Sequence, residues 1–171
     1  NYISVVEERQ GQFSEVTPFL SPRLSPIFPA DLMQELAGLQ KRYALPVPSL
    51  RSSNPSQVDW VRELCPRAES YGDAYDRFGL FGGTYPAIMA HCVYLTEQEM
   101  ETIKNNGVYI AHCPQSNTNL SSGIAPVRSY LDLGIKTGLG SDVAGGHTPN
   151  IFRAVADAIQ VSKPYWRLVA D

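Results

Sequence analysis

Apolar residues along this chain follow a repeating order: a short continuous run, a polar loop, then positions at helical spacing. The first run is Val16–Leu20 (VTPFL). After it Leu32, Met33, Leu36 and Leu39 fall three or four apart, which predicts a helix over Ala30–Tyr43. A second run, Leu45–Leu50, leads to Asn54-Pro55, an N-cap followed by the proline favoured in a first turn, and Val58, Val61 and Leu64 give that helix its buried stripe. The third unit has a strand at Ala87–Ala90 and the capping box Thr96-x-x-Glu99, opening a helix that runs to Asn106. Gly107 sits where a left-handed residue ends a helix. Then come Val108–Ala111, a loop rich in Ser and Asn, and a helix over Val127–Leu133. The last unit is Lys136–Leu139, the loop Gly140–His147, and a helix opened by Thr148-Pro149.

Strands alternating with helices at this spacing mean βαβ units and a parallel sheet, so the fold class is α/β. Five units are visible. An open doubly wound sheet is satisfied with that number, while a closed barrel needs eight. The pattern of runs leaves both open.

Composition narrows the function classes. With 43% hydrophobic and 18% charged residues over 171 positions, the chain has the makings of one folded domain and is far from a disordered composition. The net charge is −3 and Lys and Arg are scattered, which speaks against nucleic acid or an anionic membrane as a partner. No apolar run approaches the ~20 residues of a membrane helix. The first residues, from Asn1, are no signal peptide, and a start without Met points to a fragment or a processed product. Cys65, Cys92 and Cys113 are odd in number and form no C-x-x-C pair. They read as small buried hydrophobes in a reducing, cytoplasmic setting.

Candidate chemistry sits at strand ends. His91 directly follows Ala87–Ala90, and Asp142 follows the run ending at Gly140 after one serine. A parallel sheet projects both at one edge, where they could bind a metal or share a proton. From the residues alone, His91 is equally a satisfied buried histidine, and Asp142 is more commonly explained as a helix N-cap or turn aspartate ahead of Gly145-Gly146. His112 repeats the strand-end pattern with a structural role expected, and His147 reads as solvated loop.

Three stretches carry a resemblance: Pro86–Cys92 (PAIMAHC), Ile110–Asn117 (IAHCPQSN) and Gly138–Gly146 (GLGSDVAGG). In this order and spacing they resemble the guanine deaminase family, in the deaminase branch of the amidohydrolases. Ser21–Ser25 (SPRLS) is similar to the segment that holds the guanine there, and Gln160–Arg167 to the helix after the last barrel strand. The resemblance implies a (β/α)8 TIM-type barrel of a metal-dependent hydrolase. Residues 1–171 would form one partial domain, about strands four to eight, without the N-terminal half that carries an H-x-H pair and without the terminal β domain.

What the resemblance implies about chemistry is hydrolytic deamination of guanine to xanthine and ammonia, with zinc lowering the pKa of bound water to near ~7. By the same resemblance Asp142 is the metal ligand of the eighth strand and His91 the histidine that orients the reacting water. Arg23 hydrogen-bonds the purine, and Leu24 stands where a stacking phenylalanine is usual. A homodimer is expected for the full-length family.

The fifth strand departs from the pattern. Counting back from Asn54, Leu50 stands at the metal-binding histidine and Ser53 at the proton-shuttling glutamate. Leucine cannot ligate zinc, and serine cannot carry protons near neutral pH as a carboxylate does. Of the protein ligands only Asp142 remains, so this chain alone is expected to hold no zinc and to be inactive. The alternatives are a non-catalytic, degenerate or truncated homologue, or another purine- or triazine-type deaminase of the same superfamily.

Overall fold

The computed structural model describes residues 17–22, 29–51, 55–64, 70 and 72–169. Within them the elements run α1 Ala30–Tyr43, β1 Val47–Arg51, α2 Pro55–Leu64, α3 Asp73–Asp76, β2 Ala87–His91, α4 Glu97–Asn105, β3 Tyr109–His112, α5 Pro114–Asn119, α6 Val127–Asp132, β4 Thr137–Leu139 and α7 Ile151–Leu168. The sheet has the order β1-β2-β3-β4, and every pair is parallel. Strand order follows chain order because each strand is returned to the same edge by a helical crossover.

Alternation sets the two faces of the sheet. Ala87, Met89 and Ile110 are buried and join one core with Met33 and Ala37 of α1, Val61 of α2, Tyr75 of α3, Ile103 of α4 and Tyr130 of α6. The intervening positions Ile88 and Tyr109, paired across β2 and β3, are each 42% exposed. Helices therefore cover one face, and the opposite face is open among the described residues.

Local signals explain the ends of the elements. α1 occupies the span its apolar spacing predicts, with Met33 buried and Leu32, Leu36 and Leu39 half-buried. Ahead of α4, Thr96 Oγ1 accepts from the Glu99 amide (3.2 Å) and Glu99 Oε2 accepts from the Thr96 amide (2.9 Å). That reciprocal pair satisfies two of the amides a helix start leaves orphaned. Gly107 closes the turn after α4 at φ +65°, a conformation that favours glycine.

Several expectations are corrected. Residues 17–20 of the first apolar run form no strand; Leu20 is buried and donates one backbone bond to the Pro46 carbonyl (3.0 Å), while Pro18 has no amide to offer a ladder. The Ser/Asn-rich segment is not a loop but α5, opened by Pro114 and braced by Thr118 Oγ1 donating to the Pro114 carbonyl (2.8 Å). α7 is capped by Asn150, whose Oδ1 accepts from the Phe152 amide (3.0 Å), with Thr148 in the turn before it. Val61 is buried as its stripe requires, but Leu64, the last residue of α2, is 49% exposed. Among the described residues no helix is long and apolar enough to cross a membrane.

Candidate active site at the carboxyl edge of the sheet

Parallel pairing carries the ends of β2, β3 and β4 to one edge. Arg51 pairs with His91 in register, and His112 with Leu139, three residues before Asp142. At that edge the backbone turns sharply: His91, Cys92 and Asp142 have φ of +70°, +49° and +45°. Each non-glycine residue in this left-handed region costs on the order of 1–2 kcal/mol, and such strain collects where side chains must be aimed at a site.

The result is a close pair. His91 Nε2 lies 3.9 Å from Asp142 Oδ2, with His91 nearly buried and Asp142 partly open to solvent. That gap is longer than a hydrogen bond, so the two groups face a shared space rather than seal against each other. The other ring nitrogen, Nδ1, is 2.9 Å from Asn117 Oδ1 of α5. The loop behind Asp142 is shaped by glycine. A Cβ on Gly146 would collide with the Ser141 carbonyl oxygen, and one on Gly145 would lie 3.0 Å from Asp142 Oδ2. The Gly146 amide donates to the Asp142 carbonyl at 2.7 Å, closing the turn that presents the carboxylate.

Two neighbours set the electrostatics. Burial first, and the nearby His91 second, push the His112 pKa from 6.5 down to about 4, so this imidazole is neutral at ordinary pH. It is almost wholly buried, and its Nδ1 has no partner among the described residues. Burial, then the Asp142 charge, raise the Cys113 thiol to about 11, against a smaller opposing effect of the His91 backbone. Cys113 is thus a protonated thiol and not a thiolate nucleophile or ligand. Cys92 and Cys113 are both buried, while Cys65 lies outside the described residues.

Of the residues singled out in the sequence, the structure brings His91 and Asp142 together, with His112 beside them. His147 is exposed, with Nδ1 3.4 Å from Asn119 Nδ2. Arg23, Leu24 and Ser53 lie outside the described residues. Leu50 runs in β1 opposite Ala90, one position before the Arg51–His91 pair. Sequence reasoning missed Asn117, whose contact with His91 spans 26 residues. It also missed an anchor just ahead of Arg23. The Pro22 carbonyl accepts from Ser49 Oγ of β1 (2.5 Å) and from Tyr75 OH of α3 (3.2 Å).

As a metal site the described residues are incomplete. Among them no group of three or more His, Cys, Asp or Glu is placed to hold an ion. His91 and Asp142 make two donors, and zinc takes three or four in fixed geometry. The pair alone does not fit a zinc ion.

Comparison with known proteins identifies the fold. The family model described as Amidohydrolase family matches residues 7–171. The chain belongs to the amidohydrolase family. Its sequence is 36% identical over 171 residues to a probable guanine deaminase of Schizosaccharomyces pombe, covering 100% of this chain and 32% of that one. A solved guanine deaminase from C. acetobutylicum, with guanine bound in its active site, superposes with TM-score 0.88 at 42% identity, covering 98% of this chain and 41% of that one. An adenosine deaminase from Xanthomonas campestris, with zinc bound, superposes with TM-score 0.84 over 97% of this chain and 38% of that one; at 21% identity it speaks for the fold alone. This amidohydrolase chain therefore spans about a third of the length of the curated relative, and its open parallel sheet is part of a barrel of that type.

Proposed function

We propose that this amidohydrolase chain is the C-terminal half of a barrel of the guanine deaminase type, whose reaction converts guanine and water to xanthine and ammonia. The observation that carries the reading is the His91–Asp142 pair, 3.9 Å apart on strained backbone at the carboxyl edge of a parallel sheet. The likeness to guanine deaminases over essentially the whole chain supports guanine as the substrate. Hydrolysis forms a C2–O bond from water and breaks C2–N to the exocyclic amine; of the water's two protons one ends on the ring nitrogen N3 and the other reaches the leaving nitrogen, which departs as ammonia. In this reading the Asp142 carboxylate takes a proton from the attacking water and His91 Nε2 orients that water. By the resemblance Arg23, the residue after Pro22 in the chain, fixes the purine, and Leu24 gives it an apolar but not aromatic contact.

The chain departs from a working enzyme on its fifth strand. Leu50 offers no donor where the resemblance calls for a histidine, and Ser53 offers no carboxylate to pass the proton to the leaving amine. We therefore read the chain as it stands as unable to retain zinc or turn over guanine. A homodimer in the cytoplasm completes the proposal; the buried thiol of Cys113 suits a reducing compartment.

A chimera tests the substrate. The matching segment of the C. acetobutylicum enzyme is replaced by this chain carrying Leu50→His and Ser53→Glu, and guanine loss is followed with ammonia release. Xanthine formation by the double variant, and none when Ser53 is retained, is the expected outcome. A folded chimera that ignores guanine yet deaminates another purine or a triazine would overturn the substrate assignment and leave the family standing.

A further inference from the structure

His91 faces an oxygen acceptor at each ring nitrogen, and a neutral ring has a single hydrogen to give. Asn117 Oδ1 is 2.9 Å from Nδ1, within hydrogen-bonding distance; Asp142 Oδ2 is 3.9 Å from Nε2, beyond it. An amide oxygen can only accept, so the ring nitrogen facing it must carry the hydrogen. We propose that Asn117 is a positioning residue that selects the Nδ1–H tautomer of His91 and leaves Nε2 bare toward Asp142.

The surroundings hold this arrangement. Asn117 is almost wholly buried on α5, and its backbone amide donates to the Cys113 carbonyl (3.1 Å) while its own carbonyl accepts from the Ser122 amide (2.8 Å). Gln115, two residues earlier, ties α5 to α7 through a 2.6 Å bond from Nε2 to Asp157 Oδ2. The Asn117 side-chain nitrogen is buried with no partner among the described residues, so the polar contact of this amide is the one from Oδ1 to His91 Nδ1. On the other side, the left-handed backbone at His91 fixes where the ring leaves β2. Which nitrogen of a histidine is protonated follows from the hydrogen bond its other nitrogen makes.

The consequence for chemistry rests on the deaminase reading. A bare Nε2 accepts a hydrogen bond from the attacking water and turns a lone pair of that water toward the substrate carbon. An Nε2–H would instead point its hydrogen at the Asp142 carboxylate, and both groups would be lost to the reaction. The tautomer itself does not depend on that reading.

The test uses the full chain, labelled with 15N at histidine, at a pH well above the ordinary histidine range. Long-range proton–nitrogen correlation separates a pyrrole-type from a pyridine-type nitrogen in each ring. The expected spectrum has His91 Nδ1 pyrrole-type and Nε2 pyridine-type. Asn117→Leu should exchange the two shifts, since a neutral imidazole in water favours the Nε2–H form, and Asn117→Asp should restore the original pattern because a carboxylate also accepts from Nδ1–H. His112 serves in every spectrum as the internal reference. If leucine prevents folding, Asn117→Ala removes the acceptor without bulk and is read in the same way. An Nε2–H tautomer in the unmodified chain, or Nδ1–H persisting in a folded Asn117→Leu or Asn117→Ala chain, overturns the proposal. None of these spectra involves guanine, so a chain that shows the tautomer while its repaired chimera ignores guanine separates this proposal from the deaminase reading.

Discussion

Acidification should unfold this chain through His112. The folded protein holds that imidazole neutral, with a pKa of about 4 against the ordinary 6.5, because burial penalises its charged form and His91 adds a smaller repulsion. A group whose proton affinity is lower folded than unfolded stabilises the fold above its unfolded pKa. It gives that stability up as pH falls from 6.5 toward 4. Each tenfold in proton affinity is worth about 1.4 kcal/mol, so the fall from 6.5 to about 4 amounts to roughly 3 kcal/mol, comparable to a large share of a marginal domain's stability. The unpartnered Nδ1 explains why nothing offsets the loss: a protonated ring would carry a buried donor without an acceptor among the described residues. The assay is urea unfolding, followed by circular dichroism, for the chain and for His112→Phe across that window. The difference in stability between the two should change by roughly 3 kcal/mol across it, other titrating groups cancelling. Replacing His91 with Gln should narrow the window only slightly, since its contribution is the smaller. Parallel pH profiles for the chain and His112→Phe would refute the reasoning.

Two further substitutions probe the frame of the site. Tyr130→Phe removes the buried hydroxyl that donates to the Cys92 carbonyl, next to His91, and should cost about 1–3 kcal/mol in urea unfolding; no change would mean the bond carries no stability. Gly146→Ala places a methyl against the Ser141 carbonyl, so the Asp142 turn must rearrange at about 1–3 kcal/mol, with the His91–Asp142 separation widened in a crystal structure of the variant. An unaltered turn would show that the glycine is not required there.

Much of the frame was legible because its signals are local. The Thr96-x-x-Glu99 box fixes the start of α4 within four residues, and the Leu32–Leu39 spacing sets α1 on its own. The convergence of His91 and Asp142 was legible for a different reason: parallel strands deliver their carboxyl ends to one edge whatever the loops do. What escaped depends on context. Ser116, Asn117 and Asn119 are poor helix formers, yet α5 forms because Pro114 starts it and Asp157 of α7 anchors Gln115. Asn117 could be quoted as part of a motif, but its bond to His91 exists only once the fold brings α5 to the end of β2. In the first apolar run, Pro18 spoils the ladder that the hydrophobic pattern promised, and Leu20 is buried all the same.

Zinc content is the most direct check on the account's core, that this chain holds two of the site's groups without the donors to complete it. The purified full chain is dialysed against metal-free buffer at neutral pH and its zinc measured by elemental analysis. With His91 and Asp142 as the donors in reach and Leu50 in place of a histidine, less than a tenth of an equivalent should remain, a rough threshold set by the three or four ligands a stable zinc site needs. The chimera carrying Leu50→His should retain close to one equivalent. Stoichiometric zinc in the unmodified chain would contradict the placement of Leu50 and the reading of the site built on it.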